Sequence, residues 1–336
     1  MIDSGKKAAV TGANGFIGAR LCSYLLQQGY WVRALAHSDP KDSSSRLDGL
    51  VADNGAAPEV NVADICDADS LSSVFDGVDT VFHVAGVAHV GSGDYRLMQQ
   101  LNVEGTRNVL RAATASGVRR LVFFSSSLVR ACELETGDIT DYGRTKLEAE
   151  RLLLAAQRRD EIEVVILRPV NVYGTDMKGN IRAMIAMIAS RRLPPLPKLE
   201  NSLSLVGVDD LLKAAVLAAE SRDAGAKTYY VTDGKSYTIN EIEQAIYQIL
   251  GRKLPRWHSP RVLLYVASAL AGVLGKMTNS GSGISIRTYH NLTRSNSFSS
   301  KEIESDLGFT PASNLYDELP GIVAHVAAKK FEKNAD

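Results

Sequence analysis

The chain reads as an α/β protein, a doubly wound parallel sheet followed by a smaller, mostly helical C-terminal region. Three observations carry that reading. Short runs rich in Val, Leu and Phe alternate with longer helical patterns through the first half, as parallel strands buried on both faces and joined by crossover helices require. A glycine-rich turn, TGANGFIG, separates the first apolar run from the first helical stretch. After Arg168-Pro169 the texture becomes mainly helical. The expected division is residues 1–170 for one domain and 171–336 for a second region, some of whose strands and helices return to the first.

Taken in order, AAVTG, WVRALA, DTVFHVA, RLVFFSS and EVVILRP are the compact apolar runs expected as strands. Between them lie FIGARLCSYLLQQG, YRLMQQLNVEGTRNVLRAATASG and the segment beginning DYGRTKLEAE, each with apolar residues three and four apart. Residues 37–58, rich in Ser, Asp, Gly and Pro, read as a surface loop. In the second half, RAMIAMIASRRLPPLP, VDDLLKAAVLAAE, TYYVTD, TINEIEQAIYQILG and the tail from Phe298 form the smaller region. Val262 to Gly275 is almost wholly apolar, yet about 20 residues are needed to span a bilayer. It is expected as a buried helix, with a membrane-surface or dimer contact as the competing reading.

Composition narrows the partners. The 336 residues hold 38 Lys plus Arg against 38 Asp plus Glu, so no global field draws the chain to nucleic acid or an anionic membrane. Cys22, Cys66 and Cys132 are isolated and have no metal-ligand spacing. They read as reduced packing residues, which with the lack of a signal peptide or transmembrane span gives a cytoplasmic expectation.

The glycine turn carries the first chemistry. Gly12, Gly15 and Gly18 follow a strand and open a helix, the setting of a Rossmann-type dinucleotide site. Gly12 permits the tight turn, Gly15 lets the backbone approach a pyrophosphate, and Gly18 lets helix and strand pack closely. Asn14, Phe16 and Ile17 fill the turn and the helix N-terminus, whose free N–H groups suit phosphates. At the end of the second strand no acid stands to meet a ribose 2′-hydroxyl until Asp39, while Arg33 and His37 are cationic or potentially so. NAD or NADP is expected, with this local composition favouring NADP.

The ordered motifs TGANGFIG, Asp64-Ile65, HVAG at 83–86, NVEGT at 102–106, FSSS at 124–127, YGRTK at 142–146 and RPVNVYG at 168–174 resemble the extended short-chain dehydrogenases/reductases. That group includes nucleotide-sugar epimerases, dehydratases and 4-ketoreductases. The resemblance implies that Asp64 and Ile65 meet the adenine and that Val84, Ala85 and Gly86 line the cofactor loop. It further implies that Ser125 borders the cofactor, that Asn102 holds the active-site helix, and that Pro169 to Val172 lie against the nicotinamide. It assigns catalysis to Ser127, Tyr142 and Lys146, with Tyr142 as proton donor or acceptor and Lys146 also bonded to the nicotinamide ribose. Ser126 stays open as an alternative to Ser127, since in a regular strand it faces the other way. His83 and His89, flanking the loop, are expected to be structural.

A tyrosine acting near neutral pH needs its phenolate favoured by roughly 4 kcal/mol, part of which Lys146, one helical turn on, is expected to supply. Substrate contacts are expected from Ser127, Asn171, Lys178, Asn180 and Arg182, the last three near a helix start suited to a diphosphate. Between Ser127 and Tyr142 the chain is short, and Arg130-Ala131 stand where the family often has Tyr-Gly. The reading is an enzyme acting at carbon 4 of a nucleotide sugar, as epimerase or 4-ketoreductase. A 3β-hydroxysteroid-dehydrogenase-like enzyme is the alternative, and a non-catalytic dinucleotide sensor the remote one. The family further implies a homodimer built from helices in 95–116 and 141–159.

Overall fold

A computed structural model describes residues 5–37, 45–53, 55–88, 95–137, 139–262, 265–266 and 295–332. The chain divides into two compact units. The first comprises the N-terminal residues through Val170 with Val208–Val231 and Ser300–Thr310; the second comprises Asn171–Gly207, Thr232–Ser299 and the residues from Pro311 onward.

The first unit is built on strands β1 (Lys7–Thr11), β2 (Trp31–Ala36), β3 (Glu59–Val62), β4 (Thr80–His83), β5 (Arg120–Phe124) and β6 (Glu163–Pro169). With β9 (Thr228–Val231) they form a seven-stranded sheet in the order β3-β2-β1-β4-β5-β6-β9, and every pairing is parallel. This is the doubly wound α/β sheet expected from the sequence. Helix α1 (Phe16–Gln27) crosses from β1 to β2. Between β4 and β5 run α2 (Tyr95–Gln99), a π-helical turn (Gln100–Glu104) and α3 (Gly105–Ala115). A short α4 (Val129–Glu133) and the long α5 (Asp141–Gln157) lead into β6.

Two faces follow from the period-2 alternation of strands. Ala9, Val81, Leu121, Phe123, Val164 and Ile166 share one apolar core with Val109 and Ala113 of α3 and with Ala149, Leu153 and Ala156 of α5. Helix α7 (Val208–Glu220) packs against α1, β5 and β6. Arg120, only 1% exposed, donates to the carbonyls of Ala218, Ala219 and Ser221 at the C-terminal end of α7 while holding Glu163. A buried cation is tolerated there because it meets both the negative end of a helix and a carboxylate. Helix α9 (Lys301–Leu307) also belongs to this unit.

The second unit holds a three-stranded sheet in the order β10-β8-β7, from β10 (Ser236–Tyr237), β8 (Leu203–Gly207) and β7 (Asn171–Tyr173). Helices α6 (Asn180–Ala189), α8 (Ile239–Ile249) and α10 (Leu315–Glu332) accompany it. A capping box in which Thr238 and Glu241 satisfy each other's backbone amides starts α8. The elements after residue 170 that return to the first unit are TYYVTD, which supplies β9 of the large sheet, VDDLLKAAVLAAE, which forms α7, and α9. Of the apolar stretch 262–275, Val262, Tyr265 and Val266 are described, and all three are exposed, not buried. The rest of that stretch, His89 and residues 38–44 and 54 of the Ser-rich loop lie outside the described residues.

Candidate active site

Four residues turn the chain from β1 into α1. Gly12 adopts φ +67°, and a Cβ there would lie 2.8 Å from the Ala85 backbone, a distance real side chains do not reach. A Cβ on Gly18 would lie 2.2 Å from the Gly12 carbonyl oxygen, so α1 can sit this close only because that side chain is absent. Gly15 donates to Gly12 O at 2.9 Å and caps α1 with no side chain of its own. The first-turn amides of Phe16, Ile17 and Gly18 therefore face outward with the positive end of the helix. Space that a Cβ would fill, next to unpaired N–H groups, fits a dinucleotide pyrophosphate. Asn14 is occupied differently: its Oδ1 accepts from Arg46 N at 2.7 Å, and Arg46 Nη1 lies 3.4 Å from its carbonyl, so it fastens the following loop to the turn.

The cations beside β2 are not equivalent. Arg33 pairs with Glu59 on the neighbouring β3 and donates to the carbonyls of Val74 and Asp76 at 2.8 and 3.3 Å, with its guanidinium over Trp31. Arg33 and Glu59 are directly paired across the β2–β3 ladder, so their side chains share one face of the sheet. His37 does stand just past β2, with its side chain 81% exposed and Nε2 3.9 Å from Asp64 Oδ2. Asp64 Oδ1 accepts from Cys66 N, and Ile65 packs its side chain against Gly105 while Asn108 holds its carbonyl.

Val84, Ala85 and Gly86 leave β4 beneath a buried relay. Thr106 Oγ1 donates to Asn102 O at 2.7 Å, so it must accept from His83 Nε2–H at 2.9 Å. His83 Nδ1 is then the acceptor for Thr11 Oγ1–H at 2.7 Å, and Thr11 in turn accepts from Ala85 N. Burial, reinforced by the nearby Lys146 charge, pushes this imidazole down to about 3, so it is a neutral spacer. Asn102, fully buried in the π-helical turn, grips both the amide and carbonyl of Val87 and donates through Nδ2 to Thr145 Oγ1 at 3.0 Å. One side chain thereby ties the loop to α5.

Helix α5 starts at a Thr140 cap, whose Oγ1 accepts from Gly143 N at 2.9 Å. A Cβ on Gly143 would fall 2.8 Å from Leu128 O, so glycine lets the helix start lie against the segment after β5. Lys146 is 2% exposed, with Nζ donating to Phe124 O at 2.9 Å and lying 4.4 Å from the Phe123 ring centroid. A Cβ on Gly86 would be 3.1 Å from that Nζ and 3.0 Å from Asn102 Oδ1. Burial lowers Lys146 to about 8, with Glu150 acting against the fall. Tyr142 is pushed the other way, up to about 12 by burial. The chain's own charges therefore do not bring the phenol towards neutrality, since the Lys146 ammonium is directed at Phe124 O.

The three serines follow β5 rather than extend it. Ser125 Oγ donates to Glu150, Ser126 Oγ accepts from Leu128 N at 3.2 Å, and Ser127 N donates to Pro169 O at 3.0 Å. Among the described residues neither Ser127 Oγ nor Tyr142 Oη makes a hydrogen bond, and neither is an enclosed orphan. Both are free to meet another molecule. Glu150 and Arg168 join the site without having stood out in the sequence. Arg168 Nε and Nη2 bind the two oxygens of Glu150 at 2.9 and 2.5 Å, and the same fork reaches Glu133 and Tyr230. Glu150's spacing, four residues beyond Lys146 and eight beyond Tyr142, is the signal that could find it.

Of the other candidates, Pro169 ends β6 in the first unit, while Asn171 and Val172 lie in β7 of the second. Asn180 opens α6, preceded by exposed Lys178, and Arg182 follows a little further along the helix. Gly179, at φ +102°, makes the turn that presents this N-terminus.

Comparison with known proteins shows the family and the fold. A model of the NAD dependent epimerase/dehydratase family matches residues 8–232. A UDP-glucose 4-epimerase of Vibrio cholerae is 29% identical over 272 residues, covering 76% of this chain and 78% of that protein. A 3β-hydroxysteroid dehydrogenase/Δ5→4-isomerase of Mycobacterium tuberculosis is 28% identical over 281 residues, covering 74% and 71%. The solved UDP-glucuronic acid 4-epimerase from Bacillus cereus in complex with NAD shares the fold, with a TM-score of 0.75 at 20% identity over 96% of this chain and 99% of that one. The matched region spans the glycine turn, the loop after β4 and the Tyr142–Lys146 helix: this chain belongs to the NAD dependent epimerase/dehydratase family.

Proposed function

We propose that the protein is a NAD-using oxidoreductase or epimerase acting at carbon 4 of a nucleotide sugar. The observation that carries the reading is that the helix bearing Tyr142 and Lys146, one turn apart, lies against the segment after β5, where Gly143 meets Leu128 O and Lys146 bonds Phe124 O, and against Gly86 of the loop that packs on Gly12 through Ala85. A bound dinucleotide supplies or accepts the hydride and, when oxidised, adds a positive charge favouring the Tyr142 phenolate. The rest is done by this chain. Gly12, Gly15 and Gly18 with the amides of Phe16 and Ile17 bind the pyrophosphate. Lys146 donates to ribose hydroxyls and favours the phenolate, Ser127 fixes the reacting oxygen, and Tyr142 Oη takes or returns its proton. The N-terminus of α6 with Lys178, Asn180 and Arg182 is the proposed diphosphate contact.

NAD is preferred to NADP in this proposal because Arg33 is committed to Glu59 and two carbonyls. A steroid-type 3β-hydroxyl is the second reading, favoured by the mycobacterial relative and by exposed Val262, Tyr265 and Val266. The test begins with the purified protein: mass spectrometry of any retained dinucleotide, then assays with UDP-sugars, 4-keto sugar nucleotides and 3β-hydroxysteroids. Retained NAD with interconversion of UDP-sugars and no net cofactor turnover is the epimerase result. Net reduction of a 4-keto sugar is the ketoreductase result, and turnover with steroids alone would overturn the sugar assignment.

A further inference from the structure

Glu150 is a carboxylate that is 1% exposed, and nothing in proton or hydride transfer explains it. It lies on the face of α5 that carries Tyr142 and Lys146, one turn further on. Its bonds lead to other elements. Oε1 accepts from Ser125 Oγ in the turn after β5 and from Arg168 Nε on β6 at 2.9 Å, while Oε2 accepts from Arg168 Nη2 at 2.5 Å. Arg168 is itself steadied by Glu133 of α4, through Nη1 at 3.0 Å and Nη2 at 2.6 Å, and by the Tyr230 hydroxyl of β9 at 3.0 Å.

We propose that Glu150 is a positioning residue with two tasks: its negative charge keeps Lys146 an ammonium, and its bond to Ser125 registers the Tyr142–Lys146 helix against the serine turn. The proposal rests on the assignment of Tyr142 and Lys146 to catalysis. Among the described residues, few groups face Lys146. On α5 stand Tyr142, whose phenol stays neutral, and Glu150. From β4 comes His83, also neutral, and from β5 only the Phe123 ring and the Phe124 carbonyl. Arg168 of β6, Glu133 of α4 and Tyr230 of β9 stand behind Glu150. Glu150 is thus the anion acting on Lys146 along its own helix, and burial alone would drive that lysine towards its neutral form. The Arg168 fork pins the carboxylate without discharging it completely, since two carboxylates share one guanidinium. A neutral Lys146 would lose one donor proton and its pull on the phenolate.

The geometric task follows from the same atoms. Ser125 N donates to Leu167 O and Ser127 N to Pro169 O, so the serine turn is laced to β6 through its backbone. The Ser125–Glu150 bond adds α5 to that lacing, which fixes the approach of Ser127 to Tyr142.

The experiment uses the full chain with 13Cε-labelled lysine, following Lys146 by NMR against pH, its signal assigned by its absence from Lys146→Met. Glu150→Gln keeps the shape and removes the charge, and the Lys146 midpoint should fall by about 1 pH unit or more. Dinucleotide affinity, read by fluorescence at pH 9, should then be weaker than in the wild type by about tenfold for every pH unit that the midpoint falls. Glu133→Gln removes a half-exposed carboxylate farther out and should move the midpoint the same way by a smaller step, which serves if Glu150→Gln does not fold. Ser125→Ala leaves the charge in place: the midpoint should stay while kcat falls and KM changes little. A midpoint unmoved in the charge variants would overturn the electrostatic role, and an unimpaired Ser125→Ala would overturn the geometric one. The titration needs no substrate, so its failure is separable from a failure to turn over nucleotide sugars.

Discussion

Lys146→Met should abolish activity yet relieve the fold of a buried charge, and the relief should depend on pH in a calculable way. Lys146 is 2% exposed and lowered by burial from 10.5 to about 8. Below pH 8 the folded chain carries an ammonium that water solvated better in the unfolded chain. That gap corresponds to about 3 kcal/mol of destabilisation at neutral pH. Between 8 and 10.5 the unfolded state binds more protons than the folded one, so the stability contributed by this group rises with pH and is fully recovered only above 10.5. Methionine carries no such penalty. Its own cost, an unpaired Phe124 carbonyl of about 1–3 kcal/mol, is independent of pH. The difference in stability between variant and wild type should therefore move by about 2 kcal/mol against the variant from about pH 7 to about pH 9.5. Urea unfolding of both proteins at the two pH values measures this, because surface groups titrate alike in each and cancel. An equal difference at both pH values would refute the claim that Lys146 is buried as a charge.

Three further outcomes test other parts of the site. Tyr142→Phe should lower kcat by about 10²–10⁴-fold while dinucleotide affinity holds, which stopped-flow hydride transfer and fluorescence titration will separate. Gly18→Ala places a Cβ 2.2 Å from Gly12 O, so calorimetry should find dinucleotide binding lost while unfolding shows a chain that still folds but less stably. Arg33→Ala removes the pair with Glu59 and the bonds to Val74 and Asp76, and should cost about 1–3 kcal/mol of stability without altering the NAD to NADP affinity ratio. A changed ratio would restore Arg33 to the cofactor site.

Much of the fold is legible in the sequence because its signals are local. TGANGFIG requires glycine where the φ is positive and where helix and strand meet, and those demands are written in residue type. The apolar runs of β1, β2, β4, β5 and β6 are continuous because both faces of a parallel sheet are covered. Strand β3, EVNV, gives no such sign because it is an edge strand with burial on no more than part of its surface, so it has neither a continuous run nor a clear alternation. Strand β9 is visible as TYYV but its partner is not, since pairing with β6 across a long stretch of intervening chain leaves no local trace. The partners of Arg33 leave no trace for the same reason: its charge is local information, while Glu59, Val74 and Asp76 come from elsewhere in the chain.

The serines show where residue order stops being informative and what decides the question instead. Alternation along a strand offers two faces, and on that basis Ser126 and Ser127 compete for one role. But β5 ends at Phe124, so the pleat does not reach them. Three consecutive residues then take three directions: Ser125 Oγ turns to Glu150, Ser126 Oγ folds back onto the Leu128 amide, and Ser127 Oγ keeps its capacity unspent. What distinguishes them is hydrogen-bond commitment and not facing. A hydroxyl whose proton is spent on a carboxylate, as in Ser125, must give up that bond to donate to a substrate, a cost of about 1–3 kcal/mol before any gain. Ser126 Oγ accepts from Leu128 N and keeps its proton, while Ser127 Oγ has neither commitment and its backbone is pinned to Pro169 at the end of β6.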